Sequence, residues 1–281
     1  MRMPAQMQDY PGTTHEMVPR PRDRMTDYEG SGLLEGCRAL VTGGDSGIGR
    51  AVAVAFAKEG ADVAFGYLCE EEDADETHRL VELQGVRCVR RAGDLSRPEE
   101  CEALVAAAVS GLGGLEIVVN HAGTQYQRDS LEDVDDEGML RLFAVNVFAP
   151  IRITRAALPY LDRGSSIINT ASVTALHGSP TLLDYSASKG AILSFTYALA
   201  SSLADRGIRV NAVAPGPVWT PMIPSTFDPE HVEGFGSRTP LGRPAQPDEI
   251  APSYVFLASD RLSSYYSGQV LAPVGGEPGL T

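Results

Sequence analysis

From Gly36 to Gly276 the chain alternates short, almost wholly apolar runs with longer stretches of helical texture, and few architectures accept that rhythm. The runs are CRALVTG (37–43), DVAFGYL (62–68), a third within RCVRRAGD, EIVVN (116–120), SSIINT (165–170), IRVNAVAP and a last short one in GQVLAPVGG. Strands apolar on both faces need cover on both faces, which a parallel sheet between two helical layers provides. The expectation is an α/β chain with a single Rossmann-type doubly wound parallel sheet and helices on both faces. Helices are predicted over Gly47–Glu59, Asp73–Leu83, Asp184–Ala204 and Asp248–Ala258. Ser96-Arg97-Pro98-Glu99 reads as a capping box opening another. No linker interrupts the alternation, so residues 36–281 are read as one dinucleotide-binding and catalytic domain.

Residues 1–35 have a different texture. Pro4, Pro11, Gly12, Pro19 and Pro21 break any helical or strand period. The segment reads as an extended arm, either disordered or laid across its own or a neighbouring subunit.

Charge excludes several partners. The chain carries 23 Lys and Arg against 37 Asp and Glu, a net charge of −14. Nucleic acid, an anionic membrane surface and an acidic carrier protein all call for a basic face. No apolar run approaches the ~18 residues of a membrane span, and no apolar stretch follows the basic N-terminal residues as a secretory signal requires. Cys37, Cys69, Cys88 and Cys101 show no ligand-like spacing and suit free thiols, so a cytoplasmic location is expected. The pattern suggests no metal site.

Directly after the first run comes Thr42-Gly43-Gly44-Asp45-Ser46-Gly47-Ile48-Gly49, entering an Ala-rich helix. Glycines there allow a tight turn and close approach of a pyrophosphate, and the helix N-terminus offers N–H groups and partial positive charge. A plain strand-to-helix turn is the alternative. The spacing G-x3-G-x-G resembles the TGxxxGIG motif of the short-chain dehydrogenase/reductase family, and further motifs of that family follow in register. Asn120-His121-Ala122-Gly123 resembles NNAG with His at the second position. Asn146 sits at the family's active-site Asn. Ser172 precedes Tyr185 by thirteen residues, Tyr185 and Lys189 form YxxxK, and Pro215-Gly216-Pro217-Val218-Trp219-Thr220 resembles the nicotinamide-side PG motif. The resemblance covers about residues 36–276, and is narrowest to bacterial oxidoreductases labelled by similarity to glucose/ribitol dehydrogenases.

Tyr185 and Lys189 lie four apart on a predicted helix, so both project from one face. An ammonium beside a phenol favours the phenolate and lowers the Tyr value towards working pH, as proton exchange with an alcohol requires. Ser172 ends the fifth strand, where open α/β sheets place their sites, and its hydroxyl suits a substrate oxygen. The resemblance implies that Lys189 also bonds the nicotinamide ribose and that Asn146 holds a water linking Lys189 to solvent. A satisfied buried Asn explains Asn146 nearly as well. The resemblance further assigns cofactor contacts to Gly43, Asp45, Ser46, Gly47, Ile48 and Gly49 of the loop and to Tyr67 and Leu68 at the second strand's end. It adds Asp94, beside the adenine, with Leu95, Asn120, Ala122 and Gly123, then Pro215, Gly216, Val218 and Thr220. His121 and His177 read as structural or pocket-wall residues.

Cofactor choice leans to NAD, with NADP possible. No Lys or Arg occurs between Lys58 and Arg79, and Glu70-Glu71-Glu72-Asp73, read as a solvated helix start, would repel a 2′-phosphate. The expected activity is hydride transfer between this cofactor and a small alcohol or carbonyl substrate: a sugar, polyol, aldehyde or ketone. A ketoacyl-carrier-protein reductase and a non-catalytic dinucleotide sensor are the alternatives. Residues 221–238, with Met222, Ile223, Phe227 and Phe235, lack periodicity and read as a lid. Ala191, Ile192, Phe195, Ala198, Leu199 and Leu203 spread apolar surface around the Asp184–Ala204 helix, so a homotetramer burying that helix is expected.

Overall fold

A computed structural model describes residues 2–277. Seven parallel strands form one sheet in the order β3-β2-β1-β4-β5-β6-β7. They are β1 (Arg38–Thr42), β2 (Asp62–Tyr67), β3 (Cys88–Ala92), β4 (Ile117–Asn120), β5 (Ser166–Thr170), β6 (Arg209–Val213) and β7 (Val270–Leu271). Strands β1, β4, β5 and β6 are buried almost throughout, which is why their sequences carry no polar alternation. The register places Val41 beside Phe65 on one side and Val119 on the other. Strand order reverses between β1 and β4, and a cleft opens there beyond the carboxyl ends of the strands.

One face of the sheet carries α1 (Gly47–Lys58) and α2 (Glu71–Glu82); the other carries α3 (Pro98–Leu112), α4 (Asp136–Phe143) and α5 (Ala149–Ala157). A π-helical turn at Ala144–Phe148 joins α4 to α5. After β5 come α6 (Thr174–His177) and α7 (Leu183–Leu203), and after β6 the short α8 (Met222–Thr226) and α9 (Pro229–Gly234), then α10 (Pro247–Ala258). Phe56, Phe65 and Tyr254 centre the core under α1 and α10, while Leu104, Ile153 and Leu203 centre the core under α3, α5 and α7.

Three sequence expectations need correction. Helix α3 starts at Pro98 with Arg97 as its N-cap and no side-chain cap; the Ser96 N–H instead donates to Asp94 Oδ1 at 3.0 Å, which bends the chain before the helix. The segment 221–238 holds two short helices, too brief to show a period. The acidic run is not wholly solvated, because Asp73 is buried against Arg50.

The N-terminal segment runs over its own subunit. Met25 and Leu34 enter the α1 core, and Met3 and Met17 pack with Trp219, Ile223 and Phe227. Trp219 Nε1 donates to the Pro19 carbonyl at 2.8 Å, and Lys58 Nζ donates to the Met25 carbonyl at 2.7 Å. Regular spacing of apolar residues was not needed for this burial, since Met side chains adapt to irregular gaps.

Candidate active site

The turn from β1 into α1 leaves little room for a side chain at its glycines. Gly43 and Gly47 have φ of +65° and +53°, and a Cβ on Gly49 would stand 1.8 Å from the Gly43 carbonyl oxygen. The Ser46 hydroxyl does not cap α1, so first-turn N–H groups face the cleft, while Asp23 takes the Gly47 N–H at 3.3 Å. Such a turn fits a dinucleotide pyrophosphate: bare backbone, free donors and the positive end of a helix.

Gly43, Asp45, Ser46, Gly47 and Ile48 line the cleft, as do Tyr67, Leu68, Asp94 and Leu95. Ala122, Gly123, Ser172, Tyr185, Lys189, Pro215, Gly216, Val218 and Thr220 complete its wall. Gly49 stands behind, packing α1 on the loop. Asn120 is turned away and is a correction: its Nδ2 donates to Thr154 Oγ1 at 3.0 Å and Asn169 Oδ1 at 2.9 Å, within a buried polar ladder that continues through Thr196. Asn146 also lies behind the wall. Its Oδ1 accepts from Thr124 N–H and its Nδ2 donates to the Thr124 carbonyl, both at 2.8 Å, and Nδ2 also reaches Ser188 Oγ at 3.1 Å. The π-turn aims it there, bracing the loop that carries Gly123, whose Cβ position would be 3.4 Å from both Asn146 Oδ1 and Lys189 Nζ.

Ser172, at the end of β5, accepts from Thr174 N–H at 3.1 Å and Thr174 Oγ1 at 3.0 Å, leaving its own proton directed elsewhere. Tyr185 and Lys189 stand one turn apart on α7. Lys189 Nζ donates to the Thr170 carbonyl at 2.8 Å and lies 5.7 Å from the Tyr185 ring centroid. Burial dominates both groups. It pushes the Tyr185 phenol up to about 12 against the opposing Ser172 hydroxyl, and pulls the Lys189 ammonium down to about 8. The lowering of Tyr185 expected from sequence is therefore absent, because desolvation outweighs the one opposing influence, the hydrogen bond with Ser172.

Histidines take supporting places. His121 is half-buried on the cleft wall, with Nδ1 3.2 Å from Thr170 Oγ1, and desolvation aided by the Lys189 charge pulls it to about 3, so the imidazole is neutral. His177 is outside the cleft and beside Glu277. Among the described residues no three His, Cys, Asp or Glu side chains converge as a metal cage.

Several wall residues carried no sequence signal. Arg141, from α4, ties Asp94 Oδ2 at 2.6 Å, and together with Ser96 N–H it holds that carboxylate below the usual range against its burial. Gln125 and Val145 also line the cleft, as do Tyr10 and Pro11 from the N-terminal segment, beside Glu70 of the acidic run that the sequence sets near a 2′-phosphate. Only tertiary placement brings these together.

Comparison with known proteins agrees with this layout. The chain belongs to the short-chain dehydrogenase/reductase family, an oxidoreductase family that works with nicotinamide cofactors. A family model described as enoyl-(acyl carrier protein) reductase matches residues 43–276. General stress protein 39 of Bacillus subtilis is 52% identical over 275 residues, covering 98% of this chain and 96% of that protein. Glucose and ribitol dehydrogenase of Daucus carota is 47% identical, covering 97% and 96% respectively. A short-chain dehydrogenase of Burkholderia cenocepacia, crystallised with NADP, superposes with a TM-score of 0.81 at 34% identity, covering 86% of this chain and 98% of that one.

Proposed function

We propose that this protein reduces neutral aldehydes or ketones, and oxidises the corresponding alcohols, by hydride transfer with a nicotinamide dinucleotide. The observation that carries the reading is the opening of the α1 glycine loop and the Ser172–Tyr185–Lys189 group into one cleft. Bound nicotinamide supplies or accepts the hydride; the chain's own residues do the rest. The first turn of α1 holds the pyrophosphate, Asp94 and Leu95 border the adenine, and Lys189 reaches the ribose. Ser172 positions the substrate oxygen and Tyr185 hands it a proton. Burial pushes the Tyr185 phenol up to about 12, so it carries its proton at neutral pH and can donate it to a carbonyl oxygen.

Val173, Leu182, Ile223 and Phe227 surround Ser172 and Tyr185. An apolar wall suits a carbonyl with a hydrocarbon flank better than a polyol, whose hydroxyls would lose their water without replacement. NAD is the preferred form. At the β2 end the cleft offers the acidic side chains of Asp45 and Glu70, a poor setting for a further phosphate. Arg50, the nearest base on α1, is consumed by Asp23 and Asp73. A neutral substrate, a reducing cytoplasm that keeps the four thiols free, and assembly as a homotetramer complete the reading.

The test follows NADH and NADPH absorbance with a panel of neutral aldehydes, ketones, sugars and polyols, alongside direct binding of both cofactors. Turnover of apolar carbonyls that disappears in Tyr185→Phe supports the reading. Binding of cofactor without turnover of any substrate would leave a dinucleotide sensor in its place, and tighter binding of NADP(H) would reject the preference for NAD.

A further inference from the structure

We propose that the N-terminal segment is the outer wall of the dinucleotide cleft, with Tyr10 laid across the cofactor, so that cofactor exchange requires residues 8–14 to lift. The inference rests on the cofactor site proposed above and concerns a part of the chain outside the match to the family model, which begins at residue 43.

Residues 8–14 are tethered on both sides of the cleft. On the α8 side, Gln8 N–H donates to the Pro224 carbonyl at 2.8 Å, and Ser225 Oγ donates to the Pro11 carbonyl at 3.0 Å. Gly12 is buried so tightly there that a Cβ would stand 2.7 Å from the Pro221 carbonyl oxygen. On the α2 side, Thr14 N–H donates to Asp73 Oδ2 at 2.8 Å, and Asp73 also holds Arg50 behind the glycine loop. Between these anchors Tyr10 and Pro11 line the same cleft as Gly47, Glu70 and Tyr185. The Tyr10 side chain lies within electrostatic reach of Glu70, from the β2 end, and of Thr124, Tyr126 and Arg141, from beyond β4. Tyr10 is 46% exposed, so its ring stands at the rim of the cleft.

The arrangement has a kinetic consequence. A strap pinned at both ends cannot be avoided by a ligand as long as a dinucleotide, whose adenosine half lies on the β2 side and whose nicotinamide half lies at Tyr185. An aromatic ring supplies broad contact at little conformational cost, and its removal is felt chiefly in the escape rate. The strap also shares tethers with α8, so loosening the wall of the substrate end loosens the cofactor cover.

The experiment uses the full chain and follows NADH fluorescence by stopped flow, with hydrogen exchange of residues 8–14 measured with and without NADH. Tyr10→Ala should speed NADH dissociation about tenfold, with a smaller change in association, and Tyr10→Phe should stay within about threefold of the parent. Ser225→Ala, which removes the Pro11 tether, should also speed dissociation and keeps the test open if Tyr10→Ala fails to fold. Exchange in residues 8–14 should slow on NADH binding. Dissociation within about twofold of the parent in both Ala variants, or exchange indifferent to NADH, overturns the strap while leaving the cofactor site standing. Binding of neither NADH nor NADPH by the parent chain overturns the cofactor site, and the strap falls with it; if only NADPH binds, the same measurements are made with NADPH.

Discussion

Asp23 Oδ2 lies 3.1 Å from Arg50 Nη1, and each side chain is 1% exposed. The pair joins the N-terminal segment to α1 immediately behind the phosphate loop. Arg50 is fully engaged: Nη2 reaches Asp73 Oδ1 at 2.6 Å, and Nε reaches the Asp45 carbonyl and Thr77 Oγ1, each at 2.9 Å. A buried guanidinium with two carboxylates keeps its charge, and its contact with the Asp45 carbonyl fixes the shape of the loop.

Asp23→Ala should therefore destabilise the fold by about 3 kcal/mol, because removing one member of a buried pair leaves charge without its partner. It should also weaken nicotinamide binding, since the Gly47 N–H and the loop lose a brace. Urea unfolding of the ligand-free chain measures the first effect and cofactor titration the second. A loss under about 1 kcal/mol would show that Asp73 alone satisfies Arg50.

The sheet and most of the cleft were legible in the sequence because their causes are local. Apolar runs announce buried parallel strands, and the glycines at 43, 47 and 49 sit where a positive φ or a crowding backbone disfavours a side chain. Tyr185 and Lys189 are fixed by helical spacing alone. What was hidden depends on distant segments. Arg141 finds Asp94 across 47 residues, and Trp219 finds Pro19 across 200. Asn120 misled for the same reason, since a motif gives a residue's position but not the partners that turn it inward. The sign of the Tyr185 shift was also beyond reach, because burial competes with the Ser172 hydrogen bond and only the folded cleft sets the balance.

Tyr185→Phe should reduce turnover by ~100-fold or more while leaving nicotinamide affinity nearly intact, as the phenol supplies the proton and the glycine loop the phosphate site. Lys189→Ala should damage both turnover and affinity, because one ammonium serves Tyr185 and the ribose. Steady-state rates paired with calorimetric titration separate the two. Unchanged affinity in Lys189→Ala would remove the ribose contact from its duties.

Stability at alkaline pH should carry the signature of Lys189. Burial pulls it to about 8 from an ordinary 10.5. Between those values the unfolded chain binds a proton that the folded chain has shed, so this group makes stability rise with pH. Below pH 8 both states are protonated and the full cost of burying the charge is present. Lys189→Met has no such titration. The parent's stability minus that of the variant should therefore climb from pH 8 to pH 10, whereas parallel curves would show that Lys189 titrates alike in both states.

Assembly is the last expectation. Within one subunit Ile192 and Leu203 of α7 are buried in its own core, so these two cannot serve a partner as the sequence pattern suggested, and Leu199 is partly buried against that core. The outer face of α7 is instead Ala187, Ser194, Tyr197, Ala198 and Ser201, mostly small residues that permit close helix approach. Helix α4 and the π-turn pack beside α7, and the turn leads directly into α5. These neighbours leave large apolar side chains in solvent: Leu140 at 62%, Phe148 at 42% and Ile151 at 37%, with Tyr197 of α7 at 47%. Apolar groups gathered on one face seek a partner, and a two-fold axis through them makes the contact self-complementary. Since each chain weighs 29.9 kDa, light scattering at micromolar concentration should give about 120 kDa for four copies. Phe148→Asp should lower that mass without lowering the subunit's helix content, because Phe148 contributes little to its own core. A parent mass near that of one chain would reject the assembly, and a Phe148→Asp variant that stays tetrameric would move the interface to another face.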